Sequence, residues 1–177
     1  MKQSLYPALA ALSLLAACQT ELNGPQPPGP VFQPSAGQEF NERDFGWSRT
    51  PGAGSIFGVL TYRSGDTRYS CRGRDVILSP ETPWVRRRMF ILYGSTDAAA
   101  IPADIVRART PTGSSGDYAS YARKTTCDAS NRFTFHDLPD GGWYVITLAK
   151  PEDGGPGTVA VMRRVETRGA MRSVVLD

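Results

Sequence analysis

The chain has 177 residues, of which 40% are hydrophobic, so there is room for one domain with a single buried core. Lysine and arginine together number 20 against 17 acidic residues, which gives a formal net charge of +3 at pH 7. Because both signs are scattered along the chain, we predict a solvated surface and exclude a nucleic-acid partner.

The N-terminus has the pattern of a secretion signal. Met1 and Lys2 precede an apolar run at residues 5–17, which ends in Leu15-Ala16-Ala17-Cys18. A run this short cannot remain in a bilayer as a spanning helix, so residues 1–17 are predicted to be a cleaved signal peptide.

The last four residues of this segment resemble the lipobox of bacterial lipoproteins. The resemblance implies that Cys18 carries fatty acyl chains such as palmitate, which would anchor the mature protein to a membrane. In this family an aspartate directly after the lipidated cysteine retains the protein in the inner membrane. Here the residue is Gln19, so the resemblance implies the outer membrane, facing either the periplasm or the cell surface. The alternative is an ordinary signal peptide, with Cys18 as a spare thiol.

Two segments separate Cys18 from the expected domain. Residues 18–37 are rich in proline and glycine, and they are predicted to form an extended spacer. Residues 38–53 form a lead-in segment with Phe40, Phe45 and Trp47, which we expect to pack onto the core. The alternative is an exposed aromatic platform for a glycan, formed by Phe45, Trp47 and Trp84.

Residues 54–177 contain short runs of β-branched and aromatic residues between turn-forming residues, a pattern that is typical of β-strands. We therefore predict an all-β fold, a single Greek-key-type β-sandwich of about seven strands, with no helix beyond a turn near residues 98–106. The cluster Arg86, Arg87 and Arg88 is expected at a strand edge or solvated face, or else in contact with an anionic lipid or glycan head group. The candidate strands are 55–63, 74–79, 87–93, 121–127, 132–137, 143–149, 158–166 and 172–176.

The alternation at residues 132–138 predicts which side chains face the core. Phe133 and Phe135 share one face with Asp137, and we expect the two aromatic rings to point inward. On the other face are His136, which is expected to be exposed, and Leu138.

The following run, residues 143–148, is apolar on both faces, which is typical of a central strand. Trp143 and Val145 are expected to pack against the two phenylalanines. The opposite face, with Tyr144, Ile146 and Leu148, is expected either to lie under the segment 94–118 or to be a docking surface for a partner.

Residues 127–145, CDASNRFTFHDLPDGGWYV, resemble the hairpin of carboxypeptidase regulatory-like domains, which belong to the prealbumin-like and Cna-B-like sandwiches. Residues 54–60 resemble the opening strand of that family, and residues 75–78 its second strand. The resemblance implies a sandwich, but it indicates little about function, because such domains serve as spacers, scaffolds and binding modules. Asn131 replaces the usual glycine and tolerates a left-handed backbone, and residues 94–118 are insertion-like.

Three cysteines are present, and the assignment of Cys18 to lipid leaves Cys71 and Cys127 as a pair. An oxidising compartment would join them in a disulfide, which would stabilise the fold by about 4 kcal/mol in the chain-entropy model. The alternative is two buried free thiols.

No catalytic, metal or cofactor site is predicted. His136 is the one histidine, and nucleophile, P-loop, zinc and dithiol motifs are absent from the sequence. Turn polarity explains the turn carboxylates without calcium or a glycosidic pair: Asp137, Asp140, Glu152 and Asp153. The leading hypothesis is a non-catalytic envelope lipoprotein that displays the domain for a structural or protein-binding role. The alternative is a glycan- or peptidoglycan-binding module, and an envelope hydrolase has least support.

Overall fold

The structure, a computed structural model, describes residues 39–111 and 117–177. The predicted signal peptide (1–17) and the predicted spacer (18–37), which includes Cys18, lie outside the described residues. The described part is a β-sandwich of a three-stranded and a seven-stranded sheet, which confirms the predicted fold class. None of the described helices is both long and apolar enough to cross a membrane.

Ten strands and four helical segments make up the described part, which is more than the seven or so strands predicted. In chain order they are a lead-in 3-10 helix (Glu42–Arg49), β1 (Gly54–Leu60), β2 (Arg63–Ser64), β3 (Thr67–Ser70), β4 (Asp75–Pro80), α1 (Pro83–Tyr93), β5 (Ala98–Pro102), α2 (Ala103–Arg109), a second 3-10 helix (Tyr118–Tyr121), β6 (Arg123–Thr126), β7 (Arg132–Leu138), β8 (Gly141–Pro151), β9 (Val159–Thr167) and β10 (Met171–Leu176).

The central strand of the small sheet is β1, which is antiparallel to β7 and parallel to β10. The large sheet is built around β8, with β9 along one side and β4 and β3 along the other. Outside these strands, β5 pairs with β9, β6 with β4, and β2 with β3. The central position predicted for residues 143–149 is therefore confirmed.

The main core lies between the two sheets. Phe133 and Phe135 enter it from the small sheet, and Trp143 and Val145 enter it from β8, as predicted. The Trp143 indole Nε1 donates to the Thr167 hydroxyl at 3.0 Å, so the one polar atom of this ring is satisfied inside the core.

The disulfide between Cys71 and Cys127 lies in the same core, with the two Cα atoms 5.7 Å apart. It joins the turn before β4 to the turn before β7 and so ties the large sheet to the small one. The predicted pairing is confirmed.

The predicted alternation of β7 fails at its last residue. Asp137 has a φ of 56°, and the pairing between β7 and β1 shifts register at this point. An extra residue in one strand reverses the faces that follow it, so Leu138 is fully buried instead of sharing the outer face. His136 is exposed as expected, and its ring centre lies 5.9 Å from that of Phe57, with the two rings nearly perpendicular.

The prediction of a strand at 87–93 is wrong, because these residues belong to α1. The Thr82 side chain accepts a hydrogen bond from the Val85 N–H at 3.1 Å, Pro83 occupies the first turn, and Gly94 ends the helix in a left-handed conformation. The buried residues of α1 recur at helical spacing: Val85, Met89, Leu92 and Tyr93. The helical turn expected near 98–106 is partly right, since α2 begins at Ala103, whereas residues 98–102 form β5.

A second core forms where α1 and the lead-in helix cover the outer face of the large sheet. Phe45 from the lead-in and Tyr144 from β8 are both fully buried in it. Trp47 packs instead on the main core, with its ring 5.0 Å from that of Trp143. The expectation that the lead-in aromatics pack onto the domain is confirmed.

Candidate functional site

The three residues expected on one partner surface do not share one. Tyr144 is fully buried beneath α1, Ile146 is half-buried, and only Leu148 is exposed. The expectation of an exposed face that includes Tyr144 is therefore corrected. The main cover is α1, which precedes the segment 94–118, and residues of β5 and α2 pack beside it.

The aromatic platform considered for a glycan does not form either. Phe45 is buried, and the ring of Trp47 is engaged with Trp143. Trp84 is half-buried, with its ring 5.1 Å from that of Tyr118 and 5.5 Å from that of Phe40. Phe45 and Trp84 belong to the second core and Trp47 packs on the main core, which leaves no coplanar exposed set among the three.

A different concave surface lies where the β2–β3 hairpin meets the end of β8, and we call it the basic groove. It consists of two adjoining depressions of about 270 and 440 Å³ that share Glu152. Its polar and aromatic lining consists of Tyr62, Arg63, Arg68, Tyr69, Ser70, Arg72, Arg74, Asn131, Lys150 and Glu152.

Backbone pairing holds the two sides of the basic groove together. In the β3–β8 ladder, Ser70 is paired with Lys150, and the Glu152 N–H donates to the Arg68 carbonyl oxygen at 2.9 Å. The hairpin reverses at Gly65, whose φ of 59° suits glycine in a two-residue turn. The groove residues of the hairpin are therefore fixed against the end of a central strand.

Asn131 fixes the side of the groove nearest the disulfide. Its φ is 62°, the left-handed conformation that was expected to be tolerated at this position. Its Oδ1 atom accepts hydrogen bonds from the Ser70 hydroxyl at 2.7 Å and from the Cys71 N–H at 3.0 Å. Because Cys71 is bonded to Cys127, this side of the groove is rigid.

The charge of the basic groove is strongly positive. Five cationic side chains line it against one carboxylate, that of Glu152, and none of the five forms a salt bridge with an acid in the described part of the chain. The Tyr62 and Tyr69 rings lie 5.1 Å apart, edge to face, in the depression that holds Arg63 and Arg68, and both are half-buried against the main core. Arginine forks and half-exposed tyrosines suit an anion that carries an apolar or ring-shaped body.

We did not predict the basic groove from the sequence, although a signal was present. Residues 62–74 read YRSGDTRYSCRGR and hold four of the five cations and both tyrosines. The basic cluster that the sequence did indicate is Arg86, Arg87 and Arg88. It was expected at a strand edge or solvated face, but it lies on α1. Arg86 pairs with Glu81, and the Arg88 guanidinium lies 5.4 Å from the Trp84 ring centre.

A second polar cluster lies under the start of α1, centred on Glu81. Arg164 contacts Oε2 of Glu81 through Nε at 2.7 Å and Nη2 at 2.6 Å, and Arg86 Nη1 contacts Oε1 at 2.8 Å. The Tyr144 hydroxyl lies 3.3 Å from Oε1. Burial would raise the pKa of Glu81, but the hydrogen bonds and charges of the two arginines outweigh it and lower that pKa.

The same contacts act on the partners of Glu81. Burial, together with the Glu81 charge, raises the pKa of Tyr144 to about 12. The hydrogen bond to Glu81 raises the pKa of Arg164 despite partial burial. The lowered pKa of Glu81 and the raised pKa of Tyr144 keep the carboxylate charged and the phenol neutral at pH 7, which suits a cluster that joins α1 to the sheet.

Two of the turn carboxylates accept hydrogen bonds from the backbone. Asp140 accepts a hydrogen bond from the Gly169 N–H, and Asp153 accepts one from the Gly155 N–H at 2.9 Å. Within residues 39–111 and 117–177, no three histidine, cysteine, aspartate or glutamate side chains come together to hold a metal ion.

Neither a known family model nor a curated protein sequence matches the chain. Among solved structures, the chain is similar to the Pseudomonas aeruginosa protein PA1324, whose crystal structure is described as that of a proposed carbohydrate-binding protein. The two share 22% sequence identity with a TM-score of 0.56, over 77% of this chain and 96% of the other. At this level of identity the likeness shows the fold alone, a β-sandwich.

Proposed function

We propose that this protein is a non-catalytic, lipid-anchored envelope protein whose sandwich domain binds an acidic glycan in the basic groove. The observation that carries the proposal is that five cations, none with a salt bridge in the described part of the chain, and two tyrosines line two depressions that share Glu152. The proposal joins the leading hypothesis, an envelope lipoprotein, with the glycan-binding alternative. It moves the binding residues from Phe45, Trp47 and Trp84 to the hairpin.

The shape and chemistry of the groove favour a glycan over a compact anion. Two adjoining depressions that share Glu152 suit an extended chain with more than one unit. Tyr62 and Tyr69 offer ring surfaces for sugar faces, Arg63 and Arg68 offer forked donors for carboxylates, and Glu152 can accept from hydroxyls. PA1324, which has a similar fold, is itself a proposed carbohydrate-binding protein, and this supports a glycan as the ligand.

The lipid anchor and the outer-membrane location are part of the proposal. The pattern Leu15-Ala16-Ala17-Cys18 supports lipidation. The disulfide between Cys71 and Cys127 supports an oxidising compartment outside the cytoplasm.

Titration of the mature chain with soluble oligosaccharides tests the glycan site. The protein carries Cys18→Ser so that no lipid interferes, and the probes are tetragalacturonate, lysozyme-released peptidoglycan fragments and neutral chitotetraose. We expect calorimetry to show binding of at least one acidic probe at low salt, with an affinity that falls as the salt concentration rises. Binding of chitotetraose should be weak or undetectable. Equal binding of chitotetraose, or no binding of either acidic probe, would contradict the proposal.

Substitutions then locate the site. Arg68→Glu should weaken binding of the acidic probe about tenfold or more, because a charge-assisted hydrogen bond contributes about 1.5–3 kcal/mol and the new carboxylate repels the ligand. Tyr69→Ala should weaken it less. The matched control is Arg172→Glu, an exposed arginine on β10 outside the groove, which should leave the affinity unchanged. Chromatography of the probe after long incubation should show no cleavage, and cleavage would make the protein an enzyme.

A further inference from the structure

The solvent-facing side of α1 combines large apolar residues with arginines. Phe90 is 59% exposed and Ile91 is 47% exposed. Arg86 and Arg87 precede them by one helical turn, so each arginine lies beside one apolar side chain on the helix surface. We call these four residues the α1 face. An exposed helix face of this composition is typical of surfaces that lie at a membrane interface.

The neighbouring helix α2 is joined to the end of α1. The Arg109 Nη1 atom donates to the Leu92 carbonyl oxygen at 3.1 Å, which joins the ends of α2 and α1. Ile105 on α2 is a further exposed large apolar residue. Glu81, which contacts Arg86, lies in the turn before α1, and α1 itself contains no acidic residue that would repel an anionic surface.

The first described residues of the chain pack beside α1. The Phe40 ring lies 5.5 Å from that of Trp84 in the first turn of α1 and 5.1 Å from that of Phe45. The described chain therefore begins beside α1.

We propose that the α1 face docks on an anionic phospholipid surface, the leaflet in which Cys18 is anchored. Phe90 and Ile91 insert at the boundary between head groups and acyl chains, and Arg86 and Arg87 contact lipid phosphates. A lipid chain alone would tether the domain in any orientation, whereas this contact fixes one. The inference rests on the lipid anchor in the proposed function, but not on the glycan site.

The docked orientation leaves the basic groove accessible. Tyr144 lies under α1, whereas Lys150 lies at the groove, and both are on β8. At about 3.3 Å per residue, these two positions are about 20 Å apart along the strand. The membrane contact and the groove therefore lie towards opposite ends of β8.

Vesicle co-sedimentation of the unlipidated mature chain (Cys18→Ser) tests the inference without help from the anchor. The probes are phosphatidylethanolamine vesicles with phosphatidylglycerol and pure phosphatidylcholine vesicles. We expect binding to the anionic vesicles that weakens with salt, and little binding to phosphatidylcholine. Failure to bind the anionic vesicles at low salt, or equal binding to both kinds of vesicle, would overturn the inference.

Substitutions then test whether vesicle binding depends on the α1 face. Replacing both Phe90 and Ile91 by serine should weaken vesicle binding roughly tenfold or more, and Arg87→Gln should weaken it roughly fivefold. The matched controls are Phe57→Ser, a 42% exposed residue on the small sheet, and Arg68→Gln in the basic groove. Both controls should bind like the parent, and a loss in either as large as in the α1 variants would overturn the inference. Loss of glycan binding in Arg68→Gln with intact vesicle binding would separate the two sites.

Discussion

Replacement of Glu81 by glutamine should loosen the attachment of α1 to the large sheet. Glu81 lies in the turn between β4 and α1, and its carboxylate meets Arg164 from β9, Arg86 from α1 and the Tyr144 hydroxyl from β8. Glutamine keeps the size of the side chain but loses the charge. The variant therefore tests the electrostatic contribution with little change in packing.

The expected loss of stability can be sized from how exposed the two arginine side chains are. The Arg86 side chain is 53% exposed, so its pair with Glu81 should contribute no more than about 1 kcal/mol. The Arg164 side chain is 30% exposed and makes two contacts with Oε2, so this pair should contribute more. We expect Glu81→Gln to lower the free energy of unfolding by about 2 kcal/mol at pH 7, or roughly 5–10 °C in melting temperature.

The pH dependence of this loss has a definite sign. The pKa of Glu81 is lowered in the folded state, so the unfolded chain takes up the proton first as the pH falls. The stabilisation is fully present above the unfolded pKa, near 4.5, and is lost as the pH falls through the folded pKa. The difference between parent and Glu81→Gln should therefore be largest at neutral pH and should shrink below about pH 4.5.

Urea unfolding followed by tryptophan fluorescence, at pH 7 and at pH 3, measures both values. The matched control is Glu166→Gln, because Glu166 forms an exposed pair with Arg168, and it should change stability by less than about 0.5 kcal/mol. An unchanged free energy of unfolding for Glu81→Gln at pH 7 would refute the reasoning. A loss of equal size at both pH values would show that packing, and not charge, is responsible.

Three further predictions concern the core and the covalent features. Val145→Ala should lower the free energy of unfolding by about 1–3 kcal/mol through a cavity beside Phe133, measured by urea unfolding, and a smaller loss would contradict tight packing there. Non-reducing mass spectrometry should find Cys71 and Cys127 in one linked peptide pair, whereas two alkylatable thiols would contradict the disulfide. Cys18→Ser expressed with its signal should accumulate as unprocessed precursor, and normal processing on an immunoblot would exclude the lipobox.

The sandwich could be predicted because its central strands carry their burial pattern in the sequence. Phe133 and Phe135 alternate with polar residues, and Trp143 and Val145 alternate within a run that is apolar on both faces. The pattern failed where one residue broke the period. A left-handed Asp137 shifts the register and buries Leu138, and aspartate at that position carries no clear sign of a bulge.

The helix α1 was missed because its amino-acid composition favours a strand, whereas the spacing of its buried residues favours a helix. Residues 87–93 are rich in large apolar side chains, which favour a strand over a short window. The correct signals lay at the ends of the segment, where Thr82 with Pro83 and then Gly94 mark a helix start and stop. Because α1 covers Tyr144, this error also left a docking surface there as one of the two alternatives, beside a cover by residues 94–118.

The basic groove depends on tertiary structure more than the sandwich core or α1 does. Arg68 and Lys150 are far apart in sequence, and only the pairing of β3 with the end of β8 brings their strands together. Sequence patterns alone showed scattered charge, because a count of signs along the chain does not show which residues share a surface.

Location of the bound ligand tests the central claim most directly. We would record backbone amide spectra of the unlipidated, isotope-labelled mature chain during titration with tetragalacturonate or an acidic peptidoglycan fragment. The account predicts that the largest shifts fall on Tyr62, Arg68 and Tyr69 in the hairpin and on Lys150 and Glu152 at the end of β8. Shifts that fall instead on the outer face of the small sheet around Phe57 and Val175, or no shifts with either ligand, would contradict it.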